Sequence, residues 1–294
     1  MPTILYLAAS NFDVLEKELV KQFIISALAE DVGDGDHTSL SSIPQGTLGK
    51  AQLLIKDNGI LAGLNLAKEI FAVVDPELQL EIFINDGDRV KVDDIALTVS
   101  GSVHAILKAE RLVLNTMQRM SGIATVTNLV VQKLEGTSTK VLDTRKTTPG
   151  IRFLEKWAVK IGGGVNHRIG LYDMILIKDN HVDYAGGIKN AINNAHEYLK
   201  RTGKNLQIEI ETRNLAEVNQ VLETGGVDRI MLDNFNFENL REAVKLINRQ
   251  FITEASGGIT LENAREYALC GVDYISMGAL THSVKSLDMS LKAI

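Results

Sequence analysis

The sequence holds a single cysteine, Cys270, in 294 residues. No intrachain disulfide can form, so the fold rests on packing alone, as suits a reducing compartment. No apolar run approaches the ~20 residues that a membrane-crossing helix needs. The apolar start at Met1–Leu7 lacks a basic n-region and a full h-region, so no secretory leader is expected and the chain reads as cytoplasmic. An excess of positive charge is also missing. The net charge of −6 argues against a nucleic-acid partner. No cluster of His, Cys, Asp and Glu has zinc spacing, and neither a Gly-x-Ser-x-Gly elbow nor a dinucleotide fingerprint occurs.

Hydrophobic residues make up 45% and charged residues 23%, the balance of a globular enzyme. The charge is unevenly spread. Between Asp143 and His181 stand Arg145, Lys146, Arg152, Lys156, Lys160, Arg168 and Lys178 against four acids, so this stretch is +3 and the rest −9. A basic pocket in an acidic protein suits a small polyanion better than a polymer.

Along the chain, Phe12, Leu15, Leu19, Phe23 and Ile24 recur at helical spacing. Strand-like runs at 50–56, 78–84 and 95–100, with a helical segment at 64–74, predict a small sheet with helices on one face. A long helix is expected from Ala105 to about Lys133, with a break at Ser121–Gly122; Arg111, Asn115 and Gln118 form one polar stripe on it. The second part repeats. Short β-rich runs centre on Leu142, Leu176, Ile210, Met231, Thr253 and Ile275, and Asn214, Asn236 and Thr260 are N-cap candidates for the intervening helices. Repeated βα units predict a parallel sheet, closed as a small or irregular barrel; a doubly wound sheet is the alternative.

Each strand run ends in polar residues, and in parallel α/β folds those ends share one face. Arg145, Lys146, His167, Arg168 and Lys178 are cations suited to a dicarboxylate or a phosphate. Arg152, Lys156 and Lys160, at helical spacing, read instead as a solvated face. Glu211 and Asp233, on neighbouring strand ends, would hold Mg²⁺ beside a pyrophosphate, stabilise positive charge on a sugar, or simply pair with the basic set. Ser256, Gly257 and Gly258, then Gly278 with His282 behind it, suit a phosphate at the last two strand ends.

These segments resemble the quinolinate phosphoribosyltransferase family. The resemblance is carried by Glu110-Arg111, Ser121–Thr125, Asp143–Gly150, Asn166-His167-Arg168, Lys178–His181, Leu232–Phe235 and Glu254–Ile259. It implies an N-terminal open-faced α/β sandwich over residues 1–116, with a C-terminal helix at 284–294 packing back on it, and an irregular α/β barrel over 117–283. It also implies transfer of phosphoribosyl from phosphoribosyl pyrophosphate to quinolinate, with decarboxylation to nicotinate mononucleotide in NAD biosynthesis. Arg145, His167, Arg168 and Lys178 correspond to the quinolinate-binding set, with Arg111 supplied by the partner in a homodimer. Lys146, Glu211, Asp233, Ser256, Gly257, Gly258, Gly278 and His282 correspond to the residues around phosphoribosyl pyrophosphate and its Mg²⁺, with Lys146, Glu211 and Asp233 catalytic. Two other readings use the same residues: a transferase acting on nicotinate, and an aldolase with Lys178 as Schiff-base lysine.

Overall fold

The computed structural model describes residues 12–294, with side chains from residue 18 onward. The segment Met1–Leu7 and the side chains of Phe12 and Leu15 lie outside the described residues. In chain order the elements are α1 (Phe12–Val32), α2 (His37–Ser42), β1 (Leu48–Ile55), β2 (Gly59–Ile60), α3 (Leu64–Val74), β3 (Gln79–Ile82), β4 (Arg89–Val90), β5 (Ile95–Ser102) and α4 (Val103–Lys133). There follow β6 (Lys140–Leu142), α5 (Arg152–Ile161), β7 (Ile175–Ile177), α6 (Asp179–Ala185), α7 (Ile188–Thr202), β8 (Ile208–Thr212) and α8 (Leu215–Thr224). The chain ends with β9 (Arg229–Asp233), α9 (Phe237–Ile247), β10 (Ile252–Ser256), α10 (Ala264–Ala268), β11 (Tyr274–Ser276), α11 (Ala279–His282) and β12 (Met289–Ala293). Two compact units result, Met1–Gly122 with Ser286–Ile294, and Ile123–Lys285. The division falls within α4, a little beyond residue 116.

The first unit is built on a four-stranded antiparallel sheet in the order β12-β1-β5-β3. Ala51, Leu53 and Ile55 alternate inward along β1, the period-2 pattern of a half-buried strand. In α3, Leu64, Ala67, Ile70 and Phe71 are buried at helical spacing. The expected C-terminal helix at 284–294 is instead strand β12, paired in register from Ala51↔Ala293 to Ile55↔Met289. The cause is legible afterwards: Leu287, Met289 and Leu291 are buried at every second position, a strand period. The expected break at Ser121–Gly122 is also absent. Here α4 runs through, and Ser121 Oγ ties it to the neighbouring segment, accepting from Ala62 N–H at 2.8 Å and donating to Ala62 O at 3.1 Å.

The second unit is a six-stranded, wholly parallel sheet in the order β6-β11-β10-β9-β8-β7. Each strand from β7 to β11 adds beside the last, and β6 follows β11. That is the cyclic order of a barrel with one seam, between β6 and β7, where Val165 bridges Leu142. A doubly wound sheet would reverse direction at a switch point, and no reversal occurs. All five residues of β8 are buried, as covered parallel strands require. Asn214 and Asn236 cap α8 and α9, accepting from Glu217 N–H and Asn239 N–H. Thr260 does not cap α10. The cap position is Asn263, whose Oδ1 accepts from Thr260 N–H, so a turn separates the Gly257–Gly258 bend from the helix.

Candidate active site

The parallel register brings the polar strand ends level: Asp233 pairs with Ser256, and Glu211 with Met231. A cavity of about 150 Å³ opens at this end of the barrel, lined by Arg145, Lys146, His167, Arg168, Lys178 and Glu254 among others. Five sequence-predicted residues are therefore brought together. Arg145 Nε is buried and has no hydrogen-bond partner. Arg168 donates through Nη1 to Met174 O at 3.2 Å, and burial first, then the Arg145 charge, hold its guanidinium below the ordinary value. Two half-buried guanidiniums that repel each other make a site for an anion with two acceptor groups. Lys178 is exposed and lies 3.7 Å from Glu211 Oε2. An exposed, ion-paired lysine lacks the desolvation a Schiff-base lysine needs.

Lys146, which also lines this cavity, meets Gly278 and His282. A Cβ on Gly278 would come 2.9 Å from Lys146 Cδ and 3.1 Å from His282 Cδ2, so glycine lets the lysine cross it. Thr281 Oγ1 donates to Lys146 O at 2.8 Å. Gly257, at φ +97°, would carry its Cβ 2.9 Å from Asn234 N, and only glycine fits. Gly258, at φ +61°, faces open space. Asn234 N–H donates to Ser256 O at 2.8 Å, which fixes this bend beside Asp233. Burial, then the Asp233 charge, hold the Glu211 carboxyl above its ordinary range. Two carboxyls on neighbouring strand ends, Glu211 and Asp233, offer the oxygen ligands that suit a hard divalent cation.

Sequence reasoning missed what lies beneath. Lys156 is not on a solvated face: it is buried and ion-paired with buried Asp143, and it donates to His167 O at 3.0 Å. Asp143 also accepts from His167 N–H at 2.9 Å, so this pair sets the 166–168 loop. Arg152 is likewise engaged, donating to Thr147 Oγ1 at 2.8 Å and Ile169 O at 2.9 Å, while Lys160 is exposed. Buried Glu155 accepts from Thr148 N–H and Oγ1 at 3.0 and 2.8 Å and anchors the loop after Arg145. His167 lines the cavity, yet both ring nitrogens face protein. Nδ1 accepts from Arg168 N–H at 2.7 Å, and Nε2 lies 3.0 Å from Glu209 and 3.5 Å from Glu254. Ligand atoms of His167, Glu209 and Glu254 lie within 4.8 Å of one another, but the Arg229 guanidinium, 2.8 Å from Glu254, already supplies a cation there. The signal available was charge in covered strands, at Glu209, Arg229 and Glu254.

Arg111 belongs to the first unit, exposed on α4 beside exposed Asn115. Gln118 leaves that stripe's role, donating to Met289 O at 2.9 Å and so holding β12.

Residues 36–121 match the family model for the quinolinate phosphoribosyl transferase N-terminal domain, and 123–292 that for the C-terminal domain. The chain is 49% identical over 288 residues to quinolinate phosphoribosyltransferase (decarboxylating) 1b of Nicotiana tabacum, covering 93% of this chain and 82% of the relative. It is likewise 49% identical over 288 residues to the chloroplastic nicotinate-nucleotide pyrophosphorylase (carboxylating) of Arabidopsis thaliana, with the same coverage. The solved nicotinate-nucleotide pyrophosphorylase of Francisella tularensis superimposes with a TM-score of 0.88 at 38% identity, over 94% of this chain and 96% of that one.

Proposed function

The chain belongs to the quinolinate phosphoribosyltransferase family, and from that premise we propose how its barrel mouth performs the reaction. Quinolinate and phosphoribosyl pyrophosphate give nicotinate mononucleotide, pyrophosphate and CO₂, a step of NAD biosynthesis. One observation carries the assignment of the acceptor: Arg145, with its buried and unpartnered Nε, stands close enough to Arg168 for its charge to lower that guanidinium. A dicarboxylate answers both guanidiniums, with Lys178 at the rim, whereas nicotinate has one carboxylate and would leave like charges facing each other. His167 packs against the acceptor ring and orients Arg168 through its backbone N–H.

Lys146, Gly278 and His282, with Ser256, Gly257 and Gly258, take the phosphates of the second substrate. When bound, Mg²⁺ would be held by Glu211 and Asp233 and would supply charge neutralisation for the departing pyrophosphate. The same two carboxylates face the ribose carbon and stabilise the positive charge that develops there. Once the ring nitrogen is ribosylated it accepts the electrons released as the adjacent carboxylate leaves, so the chain's task in that step is positioning and exclusion of water. The assembly is a homodimer in which Arg111 of each copy serves the other's site, working in a reducing, cytoplasmic setting.

Metal removal tests the acid pair. Turnover vanishes in excess chelator and returns with Mg²⁺. Asp233→Asn weakens use of phosphoribosyl pyrophosphate by about 10²-fold in kcat/KM while quinolinate binding alone, measured by calorimetry, is unchanged. Full turnover in chelator, or loss of quinolinate binding in Asp233→Asn, would overturn the assignment.

A further inference from the structure

The cavity floor carries charge that phosphoribosyl transfer leaves unused. Glu254, on β10, is fully buried yet lines the cavity beside His167 and Ser276. Four ionisable groups from four segments meet there. His167 Nε2 lies 3.0 Å from Glu209 Oε2 and 3.5 Å from Glu254 Oε2, and Arg229 Nη1 lies 2.8 Å from Glu254 and 4.0 Å from Glu209. Arg229 is fixed in turn, its guanidinium 4.8 Å over the Tyr274 ring. Glu209 Oε1 and Glu254 Oε1 are buried without a hydrogen-bond partner.

With both carboxyls ionised, two negative charges would share one guanidinium inside the protein. One proton brings the group to neutrality, as closely spaced buried carboxyls require. The imidazole is a poor place for it: burial first, then the charges of Arg229, Lys156 and Arg168, push His167 below its ordinary value against the pull of Glu254. Its Nδ1 is committed as an acceptor to Arg168 N–H. Burial first and the Glu209 charge second raise Glu254 to about 7, with His167, Arg229 and Ser276 opposing. A bound dianion overhead adds negative charge and favours the neutral carboxyl further.

The decarboxylating reaction needs such a proton. When CO₂ leaves, the electron pair of the broken C–C bond stays on the ring carbon next to the ribosylated nitrogen, and a C–H bond must replace it. The cationic groups of the cavity wall are occupied with carboxylates and phosphates. We propose that Glu254, from the cavity floor, is the acid that protonates this carbon. Its O–H bond breaks as the C–H bond forms, and the resulting carboxylate takes a proton from solvent after product leaves. The inference rests on the transferase reading above and extends it to the second half of the reaction.

Single-turnover reactions with quinolinate, phosphoribosyl pyrophosphate and Mg²⁺, following pyrophosphate and nicotinate mononucleotide separately, test it. In the wild-type protein, mononucleotide formation falls as pH rises above about 7, while pyrophosphate release does not. Glu254→Gln releases pyrophosphate within about threefold of the wild-type rate, forms mononucleotide about 10²-fold more slowly, and loses the pH dependence. The doubly carboxylated mononucleotide accumulates. Equal slowing of both products, or of neither, would overturn the role of Glu254. Should Glu254→Gln not fold, the wild-type profiles still decide, since coincident pH dependences of the two products overturn it. Absence of pyrophosphate from the wild-type protein would overturn the transferase reading instead.

Discussion

Arg145→Ala lowers kcat/KM for quinolinate by about 3–5 kcal/mol, the upper range for truncating one partner of a buried charge pair. The size follows from where Arg145 sits. It lines the cavity, its Nε is buried and unpartnered, and its neighbour Arg168 is held below the ordinary guanidinium value partly by its charge. Removing Arg145 relieves that repulsion but leaves a substrate carboxylate in the cavity without its bidentate partner. The apparent affinity for phosphoribosyl pyrophosphate changes much less, because the proposed phosphate ligands are Lys146, Gly278 and His282, which meet one another, rather than Arg145. Steady-state kinetics varying each substrate in turn measure both effects. Near-normal quinolinate kinetics in Arg145→Ala would remove it from the acceptor site.

Arg111→Ala and Lys178→Ala homodimers are each nearly inactive, and mixing them restores about a quarter of wild-type activity. Arg111 is exposed on α4 in the first unit, whereas Lys178 lines the barrel cavity in the second. If Arg111 serves the partner's site, a heterodimer has one site with both residues and one with neither. Random exchange makes half the dimers heterodimers, each with one working site in two. If Arg111 serves its own subunit, every site lacks one residue and nothing returns. Activity followed after mixing, with exchange confirmed by tagged subunits, separates the two cases.

The polar strand ends were legible from the sequence because a parallel sheet gathers them by topology alone. The rhythm of runs at Ile210, Met231, Thr253 and Ile275 became β8 to β11. What stayed hidden depended on partners distant in the chain. Spacing put Arg152, Lys156 and Lys160 on one helix face, but whether a lysine is buried depends on an acid meeting it, and Asp143 does so across the barrel's first loop. His167 was read as a ligand for substrate from its cationic neighbours; the buried Glu209 and Glu254 that claim its Nε2 come from two other strands. The terminal strand β12 was different. Its alternation at Leu287, Met289 and Leu291 was present in the sequence, in a segment of helix-compatible length whose strand partner, β1, lies more than two hundred residues earlier.

Release of labelled CO₂ tests the central claim most directly. Quinolinate labelled in the carboxyl next to the ring nitrogen is incubated with phosphoribosyl pyrophosphate, Mg²⁺ and the protein, and CO₂ and pyrophosphate are counted together. The structure and its chemistry predict one CO₂ per pyrophosphate, each dependent on both substrates, and both strongly reduced in Arg145→Ala. Pyrophosphate without CO₂, or no product from quinolinate while nicotinate is turned over, would contradict the account.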